Sequence, residues 1–428
     1  MNNFFLKILR WKLKKLSKLT IWRFRPGIVG ITGSVGKTST KLAIKAVLEK
    51  GRKVRASGGN LNNDLGISLA ILGDWSEEEL KLVSRDTAPH TARVKKLFFW
   101  FKVVFLSAFR LFGSRRDYPE ILVLEYGADR PGDLRDLLDI VKPNISVITA
   151  VGDIPVHVEF FAGPEELARE KARLIEHLPV AGFAILNYDD ETVMDLKEKT
   201  RAHVMSFGFA KGAELQITSF ENRSEKGRPV GISFKLEYER GFVPMRMDGV
   251  FGKAQAYAAA AAAAVGLIFG MNLVKASEAL RANYKPAKSR AELIPGIKYT
   301  YVIDDSYNAS PYSTHAALDT LRGLPGERKI AVLGDMLEIG KYAVEAHERV
   351  GRMAGKIADI LITVGPRAKF IAESAKEVGM RKKNIYSFDV AEDAAVELKK
   401  IMRKGDLVLV KGSHAMQLDK VIEEVKAF

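Results

Sequence analysis

Gly30-Ile31-Thr32-Gly33-Ser34-Val35-Gly36-Lys37-Thr38-Ser39 is the stretch on which the reading of this chain turns. Before it, Gly27-Ile28-Val29 reads as a buried strand; after it, Thr40 to Leu48 reads as a helix. A glycine-rich turn between strand and helix aims backbone N–H groups and the helix N-terminus at one point. That geometry cradles phosphate oxygens. Lys37 adds a point charge, and the Thr38 hydroxyl is available to Mg²⁺. Gly33, Ser34, Gly36, Lys37, Thr38 and Ser39 are therefore expected to bind a nucleotide. The strict phosphate-loop spacing wants a glycine where Ile31 stands, and the alternative is an ordinary strand–turn–helix connection.

The 428 residues correspond to about two to three domains. An apolar fraction of 47% is ample for packed cores and argues against wholesale disorder. Cysteine is absent, which excludes a disulfide scaffold, thiolate metal sites and cysteine catalysis, and fits a reducing, cytoplasmic setting. The net charge of +15 is uneven: the first 48 residues carry eleven Lys or Arg and no acid. Such a balance favours anionic partners.

Residues 1–25 form a basic amphipathic pattern, with Phe5, Leu9, Leu13 and Leu16 on one face and Lys7, Arg10, Lys14 and Lys18 on the other. The segment lacks the apolar core and cleavage site of a signal peptide. Two readings stand: a peripheral anchor at the inner membrane face through the apolar side, or a helix docked on the protein's own body. From Gly27 to about Asn187 apolar strands (27–32, 121–126, 145–149, 182–187) alternate with helices (38–49, 131–140, 164–178), the rhythm of a mainly parallel sheet. Residues 76–118 interrupt it. Leu97 to Phe112 is mostly apolar, with Lys95, Lys102 and Arg110 as a narrow stripe. A bilayer span needs about 20 apolar residues, and a central Lys or Arg costs about 3 kcal/mol. An interfacial helix or a buried lid is left.

Residues 200–250 turn β-like, with strands at Leu215–Phe220 and Gly231–Tyr238, and Ala254 to Val265 reads as a closely packed structural helix. Five further strands (299–304, 329–333, 359–364, 384–388, 406–411) alternate with helices towards the C-terminus. The expected fold class is α/β: a phosphate-loop central domain with a mainly parallel sheet, then a C-terminal Rossmann-like domain. The expected division is a helix over 1–25, a central domain over 26–285 with an insertion at 76–118, and a C-terminal domain over 286–428.

Seven stretches in order point to one family. They are Gly30–Thr40, Gly59-Asn60-Leu61-Asn62-Asn63-Asp64-Leu65-Gly66, Glu125–Ala128, Pro155–Glu159, Asp304-Asp305-Ser306-Tyr307-Asn308-Ala309-Ser310-Pro311, Leu333–Gly340 and Val410–Ser413. Together they resemble the Mur ligases, ATP-dependent amide-forming enzymes of bacterial cell-wall synthesis, and within them the branch that adds D-alanyl-D-alanine. The resemblance implies ATP, two Mg²⁺ ions and an acyl-phosphate intermediate, with a cell-wall peptide precursor and D-alanyl-D-alanine or a similar amine as substrates.

By residue, the resemblance makes Lys37, His157, Lys171 and Arg290 catalytic. Thr38, Glu125, His157 and Lys171 become metal ligands, Lys171 as a CO₂-carbamylated side chain that acts as an extra carboxylate. Read from the sequence alone, Lys171 is a solvated helix lysine. Arg290 and Asp305 would face ATP at the γ-phosphate and the ribose side; their alternative is a boundary salt bridge. Asn60, Asn62, Asn63, Tyr307, Asn308, Lys411 and Ser413 would meet the substrates, although the asparagines serve equally well as turn formers.

The chain departs from the family in several places. Only 26 residues precede Gly27, so the usual uridine-nucleotide-binding domain is missing from the expected organisation. Ala254-Gln255 stands where the family has His-Asn near the adenine, Lys288-Ser289-Arg290 replaces Pro-Gly-Arg, and Val35 replaces a polar residue. Rival readings are a ligase for another polymer or conjugate and a nucleic-acid-stimulated ATPase. No nucleic-acid-binding motif is recognisable, and no nucleic-acid partner is expected.

Overall fold

A computed structural model describes residues 3–59, 61–83 and 93–427. Asn60, residues 84–92 of the 76–118 insertion and the side chain of Phe5 lie outside the described residues. Two sheets organise the chain. The first comprises β1 (Gly27–Thr32), β2 (Val54–Ala56), β3 (Ile121–Glu125), β4 (Ile145–Ile148), β5 (Phe183–Asn187), β6 (His203–Gly208), β7 (Leu215–Glu225), β8 (Arg228–Tyr238) and β9 (Gly241–Asp248). Its spatial order is β2-β3-β1-β4-β5-β6-β7-β8-β9. The pairs from β2 to β7 are parallel, and β8 and β9 extend the sheet antiparallel.

The second sheet comprises β10 (Glu292–Gly296), β11 (Thr300–Asp305), β12 (Lys329–Gly334), β13 (Ile360–Val364), β14 (Ile385–Phe388) and β15 (Leu407–Lys411). Its order is β10-β11-β15-β12-β13-β14, parallel apart from β10. Buried Val, Ile and Leu fill these strands on both faces, as a helix-covered parallel sheet requires.

The nine-stranded sheet reverses direction of build at β1, whose neighbours β3 and β4 continue to opposite sides. Open α/β sheets bind ligands outside the strand ends at such a switch. The phosphate loop leaves β1 at that point.

Four strands went unread in the sequence. β2 is three residues long, and β6 is a short apolar run without turn signals that stand out. β9 carries Pro244 in its middle, tolerated because the strand is at the sheet edge. β10 contains Pro295 and is likewise an edge strand.

The N-terminal helix α1 (Asn3–Phe24) is present, and the face that bears Leu9 and Leu13 is covered by the protein's own body. Leu9 and Leu13 are buried in one cluster with Leu69 and Leu72 of α3 (Asp64–Leu72), α2 being Lys37–Leu48. The short α4 (Glu77–Lys81) and α5 (Arg93–Arg110) follow, and Phe99, Trp100 and Val103 of α5 complete that cluster. The docked-helix reading therefore holds for the Leu9–Leu13 face. On α5, Lys102 pairs with Glu79 at 2.6 Å and Arg110 donates to the Leu72 carbonyl at 2.7 Å, so these two residues of the stripe face the protein, whereas Lys95 is exposed. Among the described residues no helix is long and apolar enough to cross a membrane.

The alanine-rich helix Lys253–Ile268 packs against α2, and Ala258 to Ala264 are buried all round it, against α2 and the sheet. Small side chains let the two helices come close. Ala262 lies on the face that meets α2, one turn before Gly266, where a Cβ would lie 3.0 Å from Val47 Cγ1 of α2. Ala262→Leu would force methylenes into this contact and should cost about 1–3 kcal/mol. A urea melt with an unshifted midpoint would show that the alanines are not there for closeness.

Candidate active site

The glycines of the phosphate loop are dictated by space and backbone. Gly33 has φ 146°, and a Cβ there would lie 2.1 Å from Thr149 Oγ1. Gly36, at φ 89°, turns the chain into α2. Beyond β4 the loop is stitched to the sheet, since Ser34 N–H donates to the Ala150 carbonyl at 2.6 Å and Thr149 Oγ1 donates to the Val35 carbonyl at 2.5 Å. Lys37 folds back and donates to the Gly33 carbonyl at 2.6 Å. Burial pushes the Lys37 ammonium below its ordinary range, against the opposing pull of Glu125 and Asp129, and Arg290 adds to the depression. Ser34 Oγ is shielded from solvent with no hydrogen-bond partner among the described residues. A loop with unanswered donors and crowded cations is shaped for an anion.

Glu125 ends β3, beside Ile31 of β1. Its carboxylate is buried against the Lys41 ammonium, 2.8 Å away. Burial opposes its ionisation, yet Lys41, with Lys37 and Arg290 in support, holds it below the usual carboxylate range. Lys41 also donates to the Gly59 carbonyl at 2.8 Å and is itself almost wholly buried. Sequence reasoning missed Lys41. Its signal is a position one helical turn beyond Lys37, among the inward residues of α2.

His157 has a left-handed backbone, φ 69°. Its Nε2 is 3.4 Å from Asp129 Oδ1, and its Nδ1 is 2.7 Å from Glu338 Oε2. Neither carboxylate was singled out in the sequence, although Glu338 lies in the Leu333–Gly340 stretch. Lys171 is not solvated. In the helix Pro164–Glu176 it shares the buried face with Leu167 and Leu174, and its Nζ donates to the Gly33 carbonyl at 3.3 Å. Burial first, and then the neighbouring Lys37 charge, lower its pKa to about 7. The periodicity of that helix, with apolar residues four before and three after, was the readable clue.

On the other lobe, Asp305 and Lys411 stand side by side in register at the ends of β11 and β15. They pair at 2.6 Å, and Lys411 also donates to the Asn308 carbonyl at 2.9 Å. Burial lifts the Asp305 carboxyl above its ordinary range despite that ammonium. Asp305 further accepts from Ala291 N–H at 3.1 Å, beside Arg290. Lys411 thus ties Asp305 to the Asn308 turn while it lines the cleft. Arg290 lies over the Tyr307 ring at 4.2 Å, and Tyr307 stacks near His414 at 5.8 Å. Asn63 caps α3 by accepting from Gly66 N–H at 2.9 Å, and Ser413 Oγ accepts from Leu337 N–H at 2.9 Å. Asn62 holds Gly127 through its backbone carbonyl at 2.9 Å. Gln255 accepts from the Tyr284 hydroxyl at 2.6 Å.

These residues meet in one cleft of about 1420 Å³ between the two sheets. Ser34, Gly36, Lys37, Thr38, Ser39, Asn62, Asn63, Glu125 and His157 line it from one side; Arg290, Asp305, Tyr307, Asn308, Lys411 and Ser413 line it from the other. Gly33 and Lys171 lie behind the loop rather than on the wall. Among the described residues no three His, Asp or Glu side chains form a metal cage. The Thr38 hydroxyl and the Glu125 carboxylate nevertheless suit Mg²⁺, which keeps waters and takes phosphate oxygens for its remaining positions.

The Lys41–Glu125 pair makes a direct test. Lys41→Met leaves a buried carboxylate uncompensated and should destabilise the fold by about 3–5 kcal/mol, most of it recovered when Glu125→Gln is added. Urea unfolding of the two single variants and the double measures this. An unchanged midpoint for Lys41→Met would show that the pair is not what neutralises Glu125.

Comparison with known proteins agrees with this geometry. Residues 108–266 match the Mur ligase middle domain, and residues 289–414 match the Mur ligase glutamate ligase domain. The UDP-N-acetylmuramoyl-tripeptide–D-alanyl-D-alanine ligase of Mycobacterium leprae is 30% identical, over 95% of this chain and 75% of that protein. Its Bacillus subtilis counterpart is 29% identical, over 96% and 79%. A crystal structure of the MurF ligase from Thermotoga maritima in complex with ADP superposes with a TM-score of 0.75 at 26% identity, covering 97% of this chain and 83% of that one. With a phosphate loop, a buried strand-end glutamate and a second α/β lobe closing one cleft, this chain belongs to the Mur ligase family of ATP-dependent ligases.

Proposed function

We propose that the chain joins D-alanyl-D-alanine, or a similar small amine, to the carboxylate of a muramyl-peptide precursor at the expense of ATP. The observation that carries the reading is the gathering of Lys37, Glu125, His157, Arg290 and Asp305 on the walls of one cleft. The names of the relatives supply the substrates. The reading divides the chain into the helix 1–25, an ATP-binding lobe 26–285 and a closing lobe 286–428. It also places the protein peripherally at the inner face of the membrane.

In this mechanism a carboxylate oxygen attacks the γ-phosphorus and the bond to the ADP oxygen breaks. The amine nitrogen then attacks the acyl carbon, phosphate leaves, and the amine gives up a proton. The amides from Gly33 to Thr38 and the Lys37 ammonium hold the phosphates, and Arg290 faces the transferring group from the other lobe. Asp305 orients the ribose side, Tyr307 and Asn308 meet the dipeptide, and Asn60, Asn62 and Asn63 meet the acyl substrate. Thr38 and Glu125 would hold one Mg²⁺, and His157 with a carbamylated Lys171 a second; bound Mg²⁺ neutralises charge that builds on the phosphates. Lobe closure excludes the water that would hydrolyse an acyl phosphate.

ADP release should require acceptor and amine together. With ATP, a UDP-linked muramyl tripeptide and D-alanyl-D-alanine, turnover should exceed that with either one omitted by at least about tenfold. ADP formation indifferent to both, but stimulated by RNA or DNA with steep salt dependence, would replace the ligase with the nucleic-acid-stimulated ATPase.

Lys171 can be tested separately. A lysine with a pKa of about 7 is largely neutral at pH 8, and its free electron pair can attack CO₂ with loss of one proton. Acidification below pH 7 protonates the amine and should discharge the carbamate. Activity should therefore fall in CO₂-depleted buffer and return with bicarbonate. Lys171→Ala should lose on the order of a hundredfold in rate and gain nothing from bicarbonate; full activity in that variant would refute the assignment.

A further inference from the structure

The two helices α1 and α5 bury one face each in a shared cluster with α3, so their opposite faces point away from the body. A surface helix ordinarily turns polar residues outward. On α5 and just beyond it the outward positions are Phe98, Phe101, Phe105, Phe109 and Phe112, each between 61% and 89% exposed, at spacings of three, four, four and three residues. α1 adds Trp11 and Trp22, 59% and 69% exposed, with Ile8 and Leu19 beside them. The phenyl rings alone present roughly 700 Å² of apolar surface, beyond the 300–600 Å² of the largest patch on a typical monomer.

Charge says what covers it. α1 carries seven basic residues and α5 five, and neither contains an acid. Some of these face the body: Arg10 pairs with Asp64, Lys14 and Lys18 with Asp139, and Lys102 with Glu79. Lys12, Lys15 and Lys95 are exposed along the outward face and pair with no carboxylate among the described residues. A second copy seated on this face would set cation against cation. An anionic lipid surface answers both features, taking the rings into the headgroup–acyl boundary and the ammonium groups onto phosphates.

We infer that the outward faces of α1 and α5 together form an interfacial platform that docks the protein on a bilayer rich in anionic headgroups. The proposal rests on the peripheral placement above and names its surface and lipid chemistry; it does not depend on the ligase chemistry. It also moves the docking surface to the side of α1 opposite Leu9 and Leu13. The same insertion contributes Glu77, Leu80, Lys81 and Val83 to the cleft wall, so a docked chain would hold that wall near the lipid.

The test is flotation of the full chain with phosphatidylethanolamine vesicles containing about one-third phosphatidylglycerol, against phosphatidylcholine vesicles. The wild type should float with the anionic vesicles at least about tenfold better than with the neutral ones, and high salt should release it. Phe98→Ser, Phe101→Ser, Phe105→Ser and Phe109→Ser combined should lower partitioning at least about tenfold while leaving urea stability in place. Lys12→Gln, Lys15→Gln and Lys95→Gln combined should lower anionic binding with the rings intact. Absence of flotation, or equal flotation with both vesicle types, overturns the proposal. Flotation undiminished in the phenylalanine variant removes this surface while leaving peripheral placement standing. Self-association abolished by that variant, without vesicle binding, would make the occupant a second copy.

Discussion

The site depends on how positive charge is held under the phosphate loop. Lys41 and Lys171 are almost wholly buried, and Lys37 is half-buried between them and the cleft. Burying several ammonium groups together is tolerable only if some are neutralised and others give up their proton. Both solutions are present. Glu125 answers Lys41 at 2.8 Å, whereas Lys171, with no carboxylate in ion-pair range among the described residues, has its pKa lowered to about 7 by burial. Lys37 lies between these cases, with Glu125 and Asp129 opposing its desolvation. A polyanion in the cleft would relieve the imbalance, so the site is electrostatically prepared for one.

The second lobe meets this arrangement through strand ends. Asp305 and Lys411 close the carboxyl ends of β11 and β15, much as Thr32 and Glu125 close β1 and β3. Each sheet thus presents its ligand-binding edge to the other, and the cleft exists because two such edges face across it. Arg290 is carried just before β10, so its approach to the loop is set by the sheet and not by a free linker. Removing water from such a cleft raises the worth of every charge in it.

Where periodicity alone decided an element, the sequence was readable. β1 and the helix Pro164–Glu176 lie where the apolar pattern put them, and all five C-terminal strands fall within a residue or two of expectation. Edge strands with proline were not readable, because their tolerance depends on which neighbour is absent. Partnerships were least readable. The phosphate loop announced itself, yet Lys41, Asp129 and Glu338 become site residues only through what lies opposite them in space. The basic helix α1 shows the same limit. Its strongest apolar stripe was legible, but only packing revealed that this stripe is covered and that a second, made by Trp11 and Trp22, is the exposed one.

The contact between the lobes carries a conformational cost that locates it. His157 at φ 69° and Glu338 at φ 61° both occupy the left-handed region, which disfavours side chains with a Cβ by roughly 1–2 kcal/mol each. They face one another across the cleft at 2.7 Å, and Gly340, at φ 53°, sits against Glu159 beside them. Backbone of this kind persists where surrounding contacts over-determine it. Here those contacts come from both lobes at once, since Phe160 N–H donates to the His157 carbonyl at 3.0 Å and Glu338 approaches from across the cleft. The imidazole is therefore held from both sides of the cleft, by Asp129 of its own lobe and by Glu338 of the other.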